Sequence, residues 1–322
     1  MAVSFGSHPY PMQRRTTSPA WFLFWFAPLT AEYVSGSAPY LNPFIWLANL
    51  LLYGPGVLLI RELRVRWGKG WLAVFILGVA YMIAEEGLLL NTLFDPTKNT
   101  TGRLLGVNWV WTTGMLVVHT LVSLLAPLLI AEARFPERAA EPWLSRKAFY
   151  QVLVLFTVNV LGLGRLLAPH DRPGTAGFCW QLVLIGGCLW LAKHSPGPDW
   201  ESRPGPAPAI RSTRWWFFAS LAGMFTTMVA EFVFPALPLP GVIKVALMLT
   251  AFLTYLAWFR REGALAPAQK PILRFAAGCG IVSFWILLSP LMSLAKGNPG
   301  PVLFGAGTAL FLWRERRRQA IV

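Results

Sequence analysis

The sequence predicts an all-α polytopic membrane protein, a bundle of about ten transmembrane helices. The first two observations are the share of apolar and charged residues and the mean hydropathy. Of the 322 residues, 55% are apolar and only 13% are charged, and the mean hydropathy is +0.52. Soluble domains carry about a quarter charged residues. The third observation is spacing, because the apolar residues come mostly in runs of about 17 to 25, the helix length that crosses a hydrocarbon layer roughly 30 Å thick.

Ten apolar runs bounded by charge, Pro or Gly are the candidate spans. They lie near residues 21–37, 43–60, 71–94, 108–132, 148–168, 176–192, 215–234, 241–259, 275–294 and 301–313. The first run is interrupted by Pro28 and is expected to be a retained helix, with cleavage after residues 35–38 as the alternative. The last run is short for a crossing, which allows a tilted or re-entrant segment.

Basic residues indicate the orientation of these spans. If the N-terminus is cytoplasmic, 22 of the 28 Lys and Arg residues fall on cytoplasmic segments. Cytoplasmic loops of membrane proteins carry such an excess. The sequence therefore predicts that both termini are cytoplasmic and that the chain is a multi-pass protein of the cell (inner or plasma) membrane. Because Lys and Arg sit between apolar runs, the net charge of +14 reports topology and predicts no nucleic-acid partner.

Five regions follow from this pattern. They are an N-terminal cytoplasmic tail (1–20), a six-span membrane region (21–193), a Pro-rich cytoplasmic linker (194–214), a four-span membrane region (215–313) and a basic cytoplasmic tail (314–322). Glycines inside spans, at Gly186-Gly187 and Gly278-x-Gly280, are expected to allow close helix contact. Arg61 and Glu62 could pair, but anchoring of this helix end at an anionic leaflet is the preferred interpretation.

Ionisable and strongly polar side chains inside spans carry the functional information, because each costs several kcal/mol unless it is paired or wetted. They are Glu32, Glu85, Glu86, His119, Glu132, Asn159, Arg165 and Glu231. At about 1.5 Å per helical residue, Glu86, His119 and Asn159 lie about 12, 16 and 14 Å from the outer ends of three consecutive spans. We therefore expect them to converge on one site. Glu85 lies about 100° around the helix from Glu86, so both reach one partner only through a local distortion.

Three uses of this site remain open. A carboxylate beside an imidazole can activate water, with Glu86 as general base. Adjacent carboxylates with a histidine also suit a proton relay, and a buried polar cluster can simply fix helix packing. No cofactor or metal is expected, since no second His, Cys or carboxylate lies three or four residues from His119.

Segments on three consecutive spans carry a family resemblance. They are residues 80–94 with the Glu85-Glu86 pair, residues 115–119 ending in His119, and residues 155–159 ending in Asn159. In order and placement they resemble the motifs of the CAAX prenyl protease and bacteriocin-processing intramembrane proteases. These motifs are a Glu-Glu pair in an apolar helix, an aromatic residue four before a histidine, and a histidine four before Asn or Asp. The resemblance covers residues 71–165.

The resemblance implies that Glu86 and His119 activate water and that Asn159 donates a hydrogen bond on the oxyanion side. The chain departs from the pattern at three positions. Leu90 replaces the arginine that follows the Glu pair, Met115 replaces the aromatic residue, and Leu155 replaces the second histidine.

The chain also looks like uncharacterised polytopic bacterial membrane proteins. The shared pattern is Arg-Glu-Leu at 61–63, Glu-Glu-Gly-Leu at 85–88, Phe-Asp-Pro at 94–96 and Gly-Val-Asn-Trp-Val-Trp at 106–111. Together these observations favour a diverged intramembrane protease-like protein, active or inactive, so enzymatic activity is left open. The alternatives are a proton-coupled transporter and a non-catalytic subunit or scaffold of a membrane complex. The expected partners are the lipid bilayer and either a membrane-embedded peptide substrate or a partner subunit.

The orientation is tested with reporter fusions. Reporters fused after residue 66, 140 or 205 should report cytoplasm, and those after 100, 171 or 297 the opposite side, because the basic residues concentrate on the first set of segments. A single reversed segment would contradict the ten-span arrangement, and nine spans with a cleaved or re-entrant first segment would then be the better description.

Overall fold

A computed structural model describes residues 18–95, 102–163, 174–197, 212–234, 236–260 and 270–319. Within these residues the chain is mostly helical. Most of the N-terminal tail and of the Pro-rich linker lies outside the described residues, as do Arg165 and the last three residues of the basic tail.

The described residues contain eleven α-helices and one short hairpin. The helices are α1 (Pro19–Pro28), α2 (Pro43–Arg66), α3 (Trp71–Met82), α4 (Trp109–Val118), α5 (Ala126–Arg134), α6 (Arg146–Val158), α7 (Thr175–His194), α8 (Thr213–Phe232), α9 (Gly241–Arg260), α10 (Lys270–Lys296) and α11 (Gly300–Gln319). The hairpin pairs β1 (Arg103–Leu104) with β2 (Val107–Asn108) in antiparallel fashion. Asn108 then caps α4, because its side chain accepts a hydrogen bond from the Trp111 amide at 3.1 Å.

Four described segments wind as π-helix rather than α-helix. They are π1 (Leu29–Tyr33), π2 (Ile83–Leu89), π3 (His119–Leu125) and π4 (Asn159–Leu163). Each continues the α-helix before it, so α3 and π2 form one helix, Trp71–Leu89, and α4, π3 and α5 form another, Trp109–Arg134. Prolines accompany two of them, Pro28 just before π1 and Pro127 just after π3. A proline has no N–H to donate, which interrupts the regular ladder of hydrogen bonds.

The helices confirm the predicted all-α membrane bundle. Every one of the ten apolar runs overlaps a helix, and within the described residues five helices are long and apolar enough to cross a membrane. They are Pro43–Arg66, Trp71–Leu89, Trp109–Arg134, Thr175–His194 and Lys270–Lys296. The total of ten crossings and the cytoplasmic location of both termini stay predictions.

Trp109–Arg134 is the central helix of the bundle. Its apolar window is 83% buried, whereas that of Thr175–His194 is only 11% buried. Helix α10 packs against α5, α8 and α11, while α2 packs against α1, α3 and α6. Residues carried by the central helix therefore meet neighbours from both halves of the chain.

Arg61 does not anchor its helix end at a lipid surface, so that prediction is wrong. Its side chain is fully buried rather than placed at a lipid surface. It pairs with Glu62 at 3.2 Å and with Glu132 of the central helix at 3.6 Å, and its guanidinium carbon lies 3.4 Å from the centroid of the Trp143 ring. Arg64 also pairs with Glu132, as does Arg274 at 3.3 Å. The sequence predicted a surface anchor, but these residues form a buried charged cluster at the predicted cytoplasmic end.

Some glycines within the helices lie at close helix contacts, whereas others have open space around them. A Cβ added to Gly280 would lie 2.3 Å from the carbonyl oxygen of Phe217, so this glycine lets α10 approach α8. Gly278 likewise faces α5, where an added Cβ would lie 2.8 Å from the Ile130 side chain. At Gly186 and Gly187 nothing lies within 4 Å of an added Cβ, so the expected close contact at that pair is wrong among the described residues.

Replacing Gly280 with Ala should lower the free energy of unfolding by about 1–3 kcal/mol, because the new methyl group meets backbone that cannot rotate away. Gly186→Ala is the matched control, an open helical glycine where Ala should be neutral or stabilising by up to about 1 kcal/mol. Thermal unfolding midpoints of both variants in one detergent provide the measurement. Equal midpoints would contradict the close α8–α10 approach.

Candidate functional site

Two glutamates of π2 meet one histidine of π3 in the interior of the bundle. Nε2 of His119 lies 2.9 Å from Oε1 of Glu86, and Nδ1 lies 3.1 Å from Oε2 of Glu85. The three residues are 4%, 5% and 1% exposed, in the order His119, Glu86 and Glu85. One imidazole ring therefore lies between two buried carboxylates.

The π-helical winding of π2 explains how both glutamates reach His119. Consecutive side chains of an α-helix project about 100° apart. Here the Leu90 amide donates to the carbonyl oxygen of Glu85, five residues earlier, at 2.8 Å, which is the π pattern. Asn91 then ends the helix with a φ of 60°. This is a left-handed conformation that Asn adopts more readily than most residues.

Thr92 and Trp111 extend the site beyond Glu86. After the turn at Asn91, the Thr92 hydroxyl donates to Oε2 of Glu86, and the Trp111 indole N–H donates to the Thr92 hydroxyl at 3.1 Å. On the other side of the ring, the Ser123 hydroxyl lies 3.3 Å from Nδ1 of His119. Glu86 is thus held by a hydroxyl from the turn after its helix, and His119 by one from its own helix.

Tyr53 and Glu32 extend the site beyond Glu85. The Tyr53 hydroxyl lies 2.5 Å from Oε1 of Glu85 and 2.5 Å from Oε1 of Glu32, which belongs to π1. Two glycines that follow Tyr53 let its helix approach α1 and α3 closely. A Cβ on Gly54 would lie 2.7 Å from the Phe24 carbonyl oxygen, and one on Gly56 would lie 2.3 Å from the Tyr81 ring. Glu32, Tyr53, Glu85, His119 and Glu86 therefore form one continuous chain of polar contacts, called the polar chain below.

Sequence reasoning missed Tyr53 and did not place Glu32 in the site. Glu32 was among the ionisable residues within spans, and its carboxylate was the available signal. Depth alone does not group Glu32 with Glu86 and His119, because Glu32 lies on the first span and not on the three consecutive spans of that group. For Tyr53 the signal was weaker, a single hydroxyl between apolar residues and two glycines.

Asn159 is buried in π4, which packs against π2. Neither polar atom of its side chain has a hydrogen-bond partner among the described residues. Asn159 makes no hydrogen bond to Glu86 or His119 among the described residues, so its role in the site stays a prediction. Leu155, where the resembled family has its second histidine, is 37% exposed, so this position lies at the edge of the bundle.

Glu85, Glu86 and His119 also have the composition of a metal site. One ligand atom from each lies within 4.8 Å of the others. These carboxylates come from a neighbouring helix, so the spacing of ligands along the helix of His119 could not reveal them. Both ring nitrogens already face a carboxylate oxygen, and Oε2 of Glu86 accepts from Thr92. The ligand atoms are engaged with one another, and we treat them as a polar cluster rather than as metal ligands.

An apolar layer separates the polar chain from the charged cluster around Arg61. On the central helix, residues 124–131 are all apolar and buried, and on α2 residues 54–60 are likewise apolar and buried. At about 1.5 Å per residue, His119 and Glu132 are about 19 Å apart along their helix. The polar chain therefore lies on the side of the bundle away from the predicted cytoplasmic cluster.

Replacing His119 with Leu should destabilise the protein by about 3–5 kcal/mol, because two buried carboxylates lose the ring that faces them. Adding Glu86→Gln to that variant should recover part of the loss, since a neutral amide costs less to bury than an unpaired carboxylate. Thermal unfolding of the single and double variants in detergent is the measurement. A double variant less stable than His119→Leu would contradict the assigned contact.

Comparison with known proteins agrees with the membrane class. A family model described as an uncharacterized membrane protein family matches residues 21–310, a range that holds the whole polar chain. No curated protein matches the chain, and no solved structure matches it. The match to residues 21–310 makes the chain an integral membrane protein that belongs to this uncharacterized membrane protein family.

Proposed function

We propose that this protein is a membrane-embedded hydrolase of the glutamate-dependent, intramembrane protease type that cleaves a membrane-embedded peptide. The observation that carries the proposal is the buried contact of 2.9 Å between Glu86 and His119. A carboxylate beside an imidazole is a common arrangement for activating water. Burial of the pair strengthens this argument, because an ionisable group within a membrane span is costly and usually functional.

The proposed chemistry begins with a water molecule entering between Glu86 and His119. Glu86 takes one proton from the water while the water oxygen bonds to the carbonyl carbon of the peptide. When the C–N bond breaks, the proton held by Glu86 passes to the leaving amine. His119 orients the water and donates to the oxygen that becomes negative.

Asn159 supports the proposal as a further donor. Its carboxamide is 4% exposed and both of its polar atoms lack partners among the described residues. Buried polar groups are normally satisfied, so an unsatisfied one is a candidate for contact with a ligand. An N–H of Asn159 would suit the oxyanion side, as the resemblance implies.

The apolar layer argues against the transporter alternative. A proton-coupled carrier needs a polar passage from its ionisable residues to both faces of the membrane. The described residues between His119 and Glu132 on the central helix, from 124 to 131, offer only buried apolar side chains.

The exposed position of Leu155 indicates that any activity operates with a single imidazole. A histidine at that edge position would not belong to the buried cluster without rearrangement of α6. The proposed enzyme therefore differs from the family it resembles in using the second carboxylate, Glu85, on the Nδ1 side of His119.

Glu86→Gln should reduce cleavage by about 100-fold or more, because a carboxamide cannot accept a proton from water. The assay uses purified full-length protein in detergent with a quenched fluorogenic peptide that carries an apolar membrane segment. Glu315→Gln is the matched control, since Glu315 is also a buried carboxylate but pairs with Arg134 and Arg318, away from the site. It should retain the wild-type rate.

Equal rates in the wild type and Glu86→Gln would refute the role of Glu86. Absence of cleavage by the wild-type protein on such peptides would count against the protease proposal itself, and a packing or scaffold role for the cluster would then be the better account.

A further inference from the structure

The structure assigns a third carboxylate to the candidate site. We propose that Glu32 and Glu85 share one proton through the Tyr53 hydroxyl. That the pair serves a reaction rests on the proposed function, whereas the sharing of the proton does not.

Proton counting at Tyr53 is the first step of the argument. Its hydroxyl oxygen lies 2.5 Å from an oxygen of Glu32 and 2.5 Å from an oxygen of Glu85. Two oxygen–oxygen contacts this short each need a hydrogen between the atoms. A phenol has one hydrogen, and an ionised carboxylate has none. The second hydrogen must therefore belong to Glu32 or Glu85, and one of the two carboxyl groups is neutral.

Charge in the buried region leads to the same conclusion. Three carboxylates, Glu32, Glu85 and Glu86, line the polar chain, and His119 is the only basic side chain that the described contacts of this chain include. Three ionised carboxylates opposite one imidazolium would leave two uncompensated negative charges at low dielectric constant. Like charges this close favour protonation of one member. One shared proton lowers the imbalance to a single negative charge.

The two carboxyl groups of the pair differ in burial. Glu85 is 1% exposed, whereas Glu32 is only partly buried. The backbone carbonyl of Glu32 accepts from the hydroxyl of Ser37, which is exposed. Glu32, in π1, is thus the less buried end of the polar chain.

The consequence for the site is geometric. Oε1 of Glu85 is held by Tyr53, which leaves Oε2 facing Nδ1 of His119 at 3.1 Å. With Nδ1 fixed in this way, Nε2 faces Glu86. Loss of Glu32 would free the Tyr53 hydroxyl to donate to Glu85 alone, and the second proton would no longer be needed.

Infrared spectroscopy of the full-length protein in detergent tests the shared proton directly. The carbonyl stretch of a protonated carboxyl group is resolved from that of an ionised carboxylate. At neutral pH, Glu32→Gln and Glu85→Gln should each remove the same amount of protonated-carboxyl band. The double variant should remove no more than either single variant, because both report one proton.

Glu315→Gln is the matched control. Glu315 is also buried, but it pairs with Arg134 and with Arg318, so its replacement should leave the protonated-carboxyl band unchanged. Tyr53→Phe keeps the aromatic ring and removes only the bridging hydroxyl, which should shift the frequency of the band.

A band unchanged in Glu32→Gln, or a double variant that loses twice the intensity of each single variant, would overturn the proposal. A Tyr53→Phe spectrum identical to that of the wild type would do so as well, even if Glu32→Gln failed to fold. The spectra need no substrate, so these results stand whether or not the protein cleaves peptides. Cleavage that depends on Glu86 with no shared proton would refute this inference alone.

Discussion

His119 lies between two carboxylates that come from one turn of the neighbouring helix, and much of the surrounding packing keeps these charges paired. An unpaired carboxylate within a membrane span costs several kcal/mol, so Glu85 and Glu86 both need a partner. A regular α-helix would send one of them away from the ring. The π-helical winding of Ile83–Leu89 brings both to it, and the turn at Asn91 returns Thr92 to Glu86. The irregular winding is thus a condition for burying the pair.

The depth of the site along the spans could be predicted from the sequence, but the full set of its residues could not. Counting residues from span ends placed Glu86 and His119 at one depth, and the structure puts them in direct contact. Depth says nothing about rotation around a helix axis, which is why the reach of Glu85 depends on the π turn. Depth also gave no reason to include Tyr53, whose position depends on close approach at two glycines.

The distribution of basic residues predicts an orientation for the chain, but it does not predict the surroundings of individual basic residues. Arg61 contributes to the excess of basic residues on the predicted cytoplasmic side, yet it is fully buried and pairs with Glu62 and Glu132. A basic residue at a helix end looks the same in sequence whether it meets lipid headgroups or a carboxylate from a helix far along the chain. The pairing with Glu132 is a long-range contact, and local pattern carries no information about it. The same limit applies to Gly186 and Gly280, which are equivalent in sequence and opposite in packing.

Nitrogen NMR of the His119 side chain in lipid bilayers is the most direct test of the central claim, that one imidazole contacts a different carboxylate at each nitrogen. Selective labelling of histidine is practical because the chain has only 4 of them. The account predicts that Glu86→Gln shifts mainly the Nε2 resonance and that Glu85→Gln shifts mainly the Nδ1 resonance. Resonances that keep their wild-type positions in both variants would show that His119 does not lie between the two glutamates, and the arrangement described for the site would be wrong.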